Sequence, residues 1–457
     1  MHPSRRASTV FWIAATILIG ISAVPRFGGM STDLWQDEVW SVRLARQATG
    51  VSQVFVGLHH SNNHYLNTLV IHLLGPQKHW SLYRLLSLIG GVLTVALAGV
   101  AARRDGRAGA LIAMLLCGFS YMLVHYSTEA RGYAAAACCG VGAMLVMERF
   151  VRDDATPSRF AWAAAFWLIA ILGILSHQTF IYAWAGVVAG SALSLLRRYG
   201  RRILRALVDL IALHGPPGAF FAWLYFADIK GQETSGGDAY PLSGALSDLI
   251  CWTFGLPIGV PIAPIVVVAC AVAVLFTVQI FRLVLRGDDR WLTLLCACII
   301  APGAAIILIS RAGPFFWNAR YFMVVIPLIL IALGGALGAM WDNWKASRIL
   351  VAPIVAIFVF GNAVHLSKFY RDGRGQYLGA LRYIAQNTPG DVVPITGDQQ
   401  FRTTMMLDFY NDYLPSGKRV EYTKREDWPT NPPLWILRQS FNGIPRELPA
   451  TTRLPNT

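Results

Sequence analysis

Two adjacent carboxylates, Asp37 and Glu38, stand between two tryptophans in the stretch LWQDEVWSVRLA, a few residues after a strongly apolar segment. A carboxylate at the lip of a membrane can take a proton from an incoming hydroxyl, so this pair is the first candidate for general-base work. The same residues also suit a plain structural role. Acids in the first turn of a short amphipathic helix are favoured by its free N–H groups and dipole, and Trp35 and Trp40 fit an interfacial belt.

Further along, HYSTEARGYA supplies His125, Glu129 and Arg131, and NARYF supplies Asn318, Arg320 and Tyr321. Arginine's planar fork grips two phosphate oxygens at once, which lysine cannot imitate. The structural alternatives are an ion pair for Glu129 with Arg131, and an interfacial arginine reaching for lipid headgroups at Arg320. HHSNNH offers His59, His60 and His64, but the spacing fits no standard zinc pattern and no cysteine flanks it. No metal ligands are therefore assigned, while the acidic first loop leaves a divalent cation open as a cofactor. The aspartate pairs at 153–154 and 288–289 lie in basic loops and read as solvated charge.

The elements that must position these groups are membrane spans. Of 457 residues, 55% are hydrophobic and only 14% charged, with a mean hydropathy of +0.48. Soluble domains are about 25% charged, so the chain reads as a polytopic α-helical membrane protein. The seven cysteines all lie in or beside apolar segments and suggest packing, not a disulfide framework.

About eleven apolar runs, each near the ~20 residues that cross a bilayer, fall at 8–24, 83–101, 108–124, 133–147, 160–176, 180–196, 207–226, 258–281, 291–310, 321–341 and 349–366. Six segments, HPSRR, ARRDGRAG, ERFVRDDATPSR, LLRRYGRRILR, FRLVLRGDDR and DNWKASR, hold about eighteen Lys and Arg between them. Positive-inside reasoning places these segments and the N-terminus in the cytoplasm, which assigns much of the +14 net charge to loops and not to nucleic-acid binding. The long loop 25–82 and everything from 367 on are then external. The apolar stretch 64–75 is too short to span and is expected as a re-entrant or interfacial helix, because counting it would turn every arginine cluster outward. The first segment is expected to anchor the chain, Pro25 being a poor cleavage context.

This divides the chain into a transmembrane module, 1–366, with juxtamembrane helices in its loop 25–82, and a small external α/β domain, 367–457. In the latter, GQYLGALRYIAQNTPGD and QFRTTMMLDFYNDYL predict helices, and VVPIT and RVEYT predict strands.

In order and spacing, four features resemble the integral-membrane GT-C glycosyltransferases. They are DE at 37–38, EARGYA at 129–134, LYRLLSLIGGVLTVALAGVAARR at 82–104 and the Arg320–Tyr321 pair. The family 39 group is the specific resemblance; it includes the protein O-mannosyltransferases and the lipid A aminoarabinose transferases. Where many members carry HPPLYY, this chain has NNHYLN, keeping His64 and Tyr65 without the prolines. The resemblance implies the GT-C fold and a transferase that takes sugar from a polyprenyl-phosphate carrier at the external face, with inversion. Asp37 would be the catalytic base and Glu38 would orient the acceptor. Arg131 and Arg320 would bind the carrier phosphate, with Glu129, His64, Tyr65 and Tyr321 completing the substrate-binding residues. Membrane lipids and a glycan, lipid or protein acceptor are the implied partners, and a bacterial inner membrane with a periplasmic C-terminal domain is the implied location.

Two other classes compete. A transporter or flippase of a lipid-linked sugar would need ionisable groups at mid-membrane depth and paired broken helices. Asp209 is the one candidate, near a cytoplasmic span end, and no internal repeat is visible. A non-catalytic scaffold would fit if Asp37 were dispensable. Sugar and acceptor identity are not written in these motifs.

Overall fold

The computed structural model describes residues 3–153, 155–233, 240–312, 317–343, 345–438, 440–441 and 444–445. Asp154, parts of two expected external loops and most of the final stretch of the tail lie outside them. Among the described residues the chain divides into two compact units. One comprises the chain up to Ser31 and Leu44–Tyr370; the other joins residues 32–43 to the chain from Arg371 on.

The described residues of the first unit form helices and the turns between them, and among the described residues ten helices are long and apolar enough to cross a membrane. The chain is a multi-pass integral membrane protein. Tyr133–Arg152 and Ile326–Asn343 each bury 72% of their apolar window, against 11% for Ile262–Leu285. The first pair therefore forms the centre, and the last presents its apolar side chains outward. Glycines let neighbouring helices approach. A Cβ on Gly334 or Gly338 of Ile326–Asn343 would fall 2.6 Å or 2.2 Å from backbone or side-chain atoms of Ala113 or Gly109 on Arg107–Phe119. Small residues four apart give membrane helices this closeness, where dispersion replaces the missing hydrophobic drive.

The expected span at 108–124 is not one helix. Arg107–Phe119 stops at Ser120 (ψ 120°), and Tyr121–Tyr126 restarts the chain. A break inside an apolar region strands backbone groups, and two other helices meet them here. Buried Arg26 donates to the carbonyls of Gly118 (2.8 Å) and Cys117 (3.2 Å), and Asn362 Oδ1 accepts the Tyr121 N–H at 2.6 Å. The short stretch at 64–75 is a ten-residue helix, Tyr65–Leu74, about 15 Å long. A further short apolar helix, Leu242–Phe254, had no counterpart in the sequence reading.

Charges at the expected cytoplasmic ends are tied down, among them Asp288, which the sequence reading left as solvated loop charge. Asp105 accepts both Arg290 Nη groups at 3.2 Å, with Arg282 Nη1 at 3.4 Å. Arg290 also binds Asp288 at 2.7 Å, which Arg152 meets at 3.2 Å. Asp209 accepts from Arg159 (2.8 Å) and from the Tyr199 hydroxyl (2.6 Å).

The second unit holds a parallel sheet of β1 (Val392–Gly397), β2 (Arg419–Tyr422) and β3 (Trp435–Leu437), in the order β2-β1-β3. Parallel neighbours need a crossover, and Gln400–Tyr410 supplies the one from β1 to β2. Both expected helices and both expected strands are present. β3 has no more than three residues and left no readable alternation. The opening of the helix Gln36–Gln47 packs into this unit. Asp33 accepts the Leu378 N–H at 2.9 Å, the Tyr410 hydroxyl donates to the Leu34 carbonyl at 2.7 Å, and Trp40 lies 5.1 Å from Phe401.

Candidate active site

Arg131 stands in the loop between Tyr121–Tyr126 and Tyr133–Arg152, and its backbone is fixed before its side chain acts. The Ser87 hydroxyl donates to the Arg131 carbonyl at 2.6 Å, and the Asn67 amide donates to the Ala130 carbonyl at 2.7 Å. Gly132 then presses onto the end of the helix Thr156–Ser176: a Cβ there would sit 1.6 Å from the Ser176 carbonyl oxygen. Only glycine fits so close an approach.

The Arg131 side chain is 4% exposed. Its Nε–H donates to His64 Nε2 at 3.2 Å and its Nη2–H to Asn62 Oδ1 at 3.0 Å, while the guanidinium lies 4.9 Å from the Tyr133 ring centre. A column of rings stands beside it. His177 stacks on His64 at 4.4 Å and on Tyr133 at 3.8 Å. Burial holds the His64 imidazole well below its ordinary pKa, with His177, Arg131 and Arg320 adding to the effect. Burial likewise depresses His177, again with Arg131 and Arg320. Both rings are therefore neutral, and both guanidinium charges bear on the same pair of imidazoles.

Arg320 is half-buried on the short turn Ala319–Phe322. Asn318 opens that turn by accepting the Arg320 N–H at 3.1 Å, and the guanidinium lies 5.8 Å from the Tyr321 ring. Geometry joins Arg131 to His64, while Arg320, with Tyr321 beside it, bears on the same imidazoles through its charge. Two positive charges among neutral rings, in a buried setting, make a place for an anion.

The other expected residues have partners of their own. Glu129 is buried, with Oε1 3.2 Å from His125 Nε2. Tyr65, next to His64 in sequence, points to another cluster. Its hydroxyl donates to Asp228 Oδ2 at 2.6 Å, His59 Nδ1 lies 2.8 Å from Oδ1, and Gln232 binds both tyrosine and aspartate. His60 Nδ1 accepts the Asn62 N–H, so the three histidines of HHSNNH each meet a different partner.

Asp37 and Glu38 belong to the second unit. Glu38 is fully buried at the third position of its helix and accepts the Trp35 N–H at 3.3 Å. That is the return arm of a capping box. Asp37 is only partly buried. Burial pushes the Tyr377 phenol up, with the carboxylates of Asp33, Asp398 and Asp37 adding and Arg402 opposing; these groups surround the tyrosine.

Sequence reasoning gave no role to Asn62, Tyr133, His177 or Asp228. For His177 a signal existed: LSHQTF joins two spans on the face that the charge pattern also assigns to ARGY.

No protein-family profile and no curated protein matches the chain. Solved structures do. ArnT from Cupriavidus metallidurans, known in the apo state and bound to undecaprenyl phosphate, matches with a TM-score of 0.55 at 16% identity, over 92% of this chain and 86% of that one. The oligosaccharyltransferase AglB from Archaeoglobus fulgidus, in complex with an inhibitory peptide and a dolichol-phosphate, matches with a TM-score of 0.54 at 13% identity, over 89% of this chain and 64% of that one. The fold is that of the GT-C integral-membrane glycosyltransferases.

Proposed function

We propose that this chain is a glycosyltransferase that moves a sugar from a polyprenyl-phosphate carrier to an acceptor hydroxyl at the external face of a bacterial inner membrane. One observation carries the reading. Arg131 and Arg320 bear on a buried pair of neutral imidazoles, in a fold shared with a protein solved with undecaprenyl phosphate.

In the proposed reaction the acceptor oxygen attacks the anomeric carbon and its proton passes to Asp37. The bond from that carbon to the phosphate oxygen breaks, and the electron pair leaves with the carrier. The phosphate thereby gains one negative charge, and two guanidiniums beside it lower the barrier by favouring that state over the ground state. Direct displacement inverts the anomeric centre. Glu38, through its bond to Trp35, fixes the start of the helix that carries Asp37. The basic loops support a cytoplasmic N-terminus, with the arginine pair and the C-terminal domain external.

The test is transfer from a labelled polyprenyl-phosphate sugar to whole envelope material, in membranes holding wild type, Asp37→Asn or Arg320→Ala. Asp37→Asn is expected to lose transfer at least about a hundredfold while still binding the lipid. Arg320→Ala is expected to lose both, since phosphate contact serves binding and departure. Transfer by Asp37→Asn at the wild-type rate would remove Asp37 from the mechanism. Labelled lipid crossing the bilayer with no transfer by any form would replace the transferase with a flippase.

A further inference from the structure

His177 is more than 90% buried, and its two ring nitrogens are in different situations. Nδ1 accepts the Thr179 backbone N–H at 3.1 Å and lies 3.0 Å from the Thr179 hydroxyl. An amide N–H only donates, so this contact assigns the ring proton to Nε2. That Nε2–H is shielded from solvent and has no hydrogen-bond partner among the described residues. The two faces of the ring are covered by His64 and Tyr133, which leaves the edge. A buried donor without an acceptor is rare in a native structure, because it gives up its water and gains nothing. Here it sits in the column that Arg131 flanks, through its bond to His64 and its place over Tyr133.

Resting on the phosphate-site reading above, we propose that His177 is a third donor to the carrier phosphate, giving its neutral Nε2–H to a phosphoryl oxygen beside Arg131 and Arg320. His64 Nε2 is already an acceptor for Arg131, and Thr179 holds the His177 ring in one tautomer. Because Nε2 is covered in this structure, the phosphate reaches it by displacing what lies over the edge. His177 would bind and not protonate the leaving group, since giving up the Nε2 proton would leave an imidazolate. The carrier departs as an unprotonated phosphate with the electron pair of the broken bond. A donor of this kind discriminates by charge, so the released carrier is held more tightly than the corresponding alcohol of equal chain length.

The experiment measures binding of undecaprenyl phosphate and of undecaprenol to the purified full-length protein in nanodiscs. His177→Phe keeps the ring stack and removes the donor. It is expected to weaken the phosphate by about tenfold or more, as for a hydrogen bond to a charged group, and to leave the alcohol within about twofold. His177→Gln, which retains an N–H, is expected to recover part of the loss. Should His177→Phe not fold, His177→Met gives the same donor-free comparison. Equal weakening of phosphate and alcohol would make His177 a packing residue, and unchanged phosphate binding would remove it from the site; either overturns the proposal. If wild type prefers phosphate and Arg131→Ala loses that preference while His177→Phe keeps it, only the His177 assignment falls. If wild type does not distinguish phosphate from alcohol, the phosphate-site reading falls with it.

Discussion

At the scale of single residues, the two depressed imidazoles make stability depend on acid. In the folded chain His64 and His177 stay neutral well below the ordinary histidine value. Unfolded, they titrate near about 6.5. Below that pH the unfolded chain binds protons that the folded chain refuses, so acid favours unfolding and stability returns as pH rises. Thermal unfolding of the detergent-solubilised protein is therefore expected at a lower temperature at pH 5 than at pH 7.5. The difference should shrink in His177→Gln; an equal difference would assign the acid sensitivity to other groups. Arg131 and Arg320 were legible as candidates because the charge pattern sets both beside spans on one face, with an ion pair and lipid headgroups as their alternatives. His177 was not, since its importance comes from Tyr133 and His64, which are distant in sequence. Glu38 was legible as a cap or as a catalytic group, and its burial and bond to Trp35 show the capping contact.

At the scale of elements, the site depends on a loop laid against a helix end. Gly132→Ala puts a methyl group where the Ser176 carbonyl stands, and backbone cannot yield as a flexible side chain can. Overpacking of this kind costs about 1–3 kcal/mol or more. The loss should be local: transfer and carrier binding fall by at least about tenfold, while the protein still inserts and purifies. Wild-type binding by Gly132→Ala would show that the loop has slack the packing denies. Hydropathy gave most spans within a few residues, because a buried or lipid-facing helix needs little beyond length and apolarity. It could not give the break at Ser120. Nothing in the run 108–124 announces it; the partners that make it tolerable, Arg26 and Asn362, lie on other helices.

At the scale of the whole molecule, Asp105 is the knot of the first unit. It joins the turn after residue 102 to Arg282 near the end of one helix and Arg290 at the start of the next, with Arg282 also reaching the Gly335 carbonyl. Removing one partner of a buried pair leaves the other charge without compensation, at a cost of about 3–5 kcal/mol. Asp105→Asn is thus expected to lower the unfolding temperature sharply, and Asp105→Asn with Arg290→Met to recover part of the loss. A double variant less stable than either single one would mean the network acts otherwise. The sequence showed these charges but not their pairing, because Asp105 and Arg290 are 185 residues apart.

The second unit is completed by two stretches of chain made at very different moments. Leu34 receives its bond from Tyr410, 376 residues later. At about 5–20 residues per second of synthesis, the segment that carries Asp37 waits roughly 20–75 s for the residues that hold it. During that interval the helices can already be entering the membrane. Ribosome stalling, or a stop codon in the tail, would then yield a chain inserted in the bilayer whose proposed base is unsupported. On the proposed reading, the order of manufacture would withhold transfer until the tail is made.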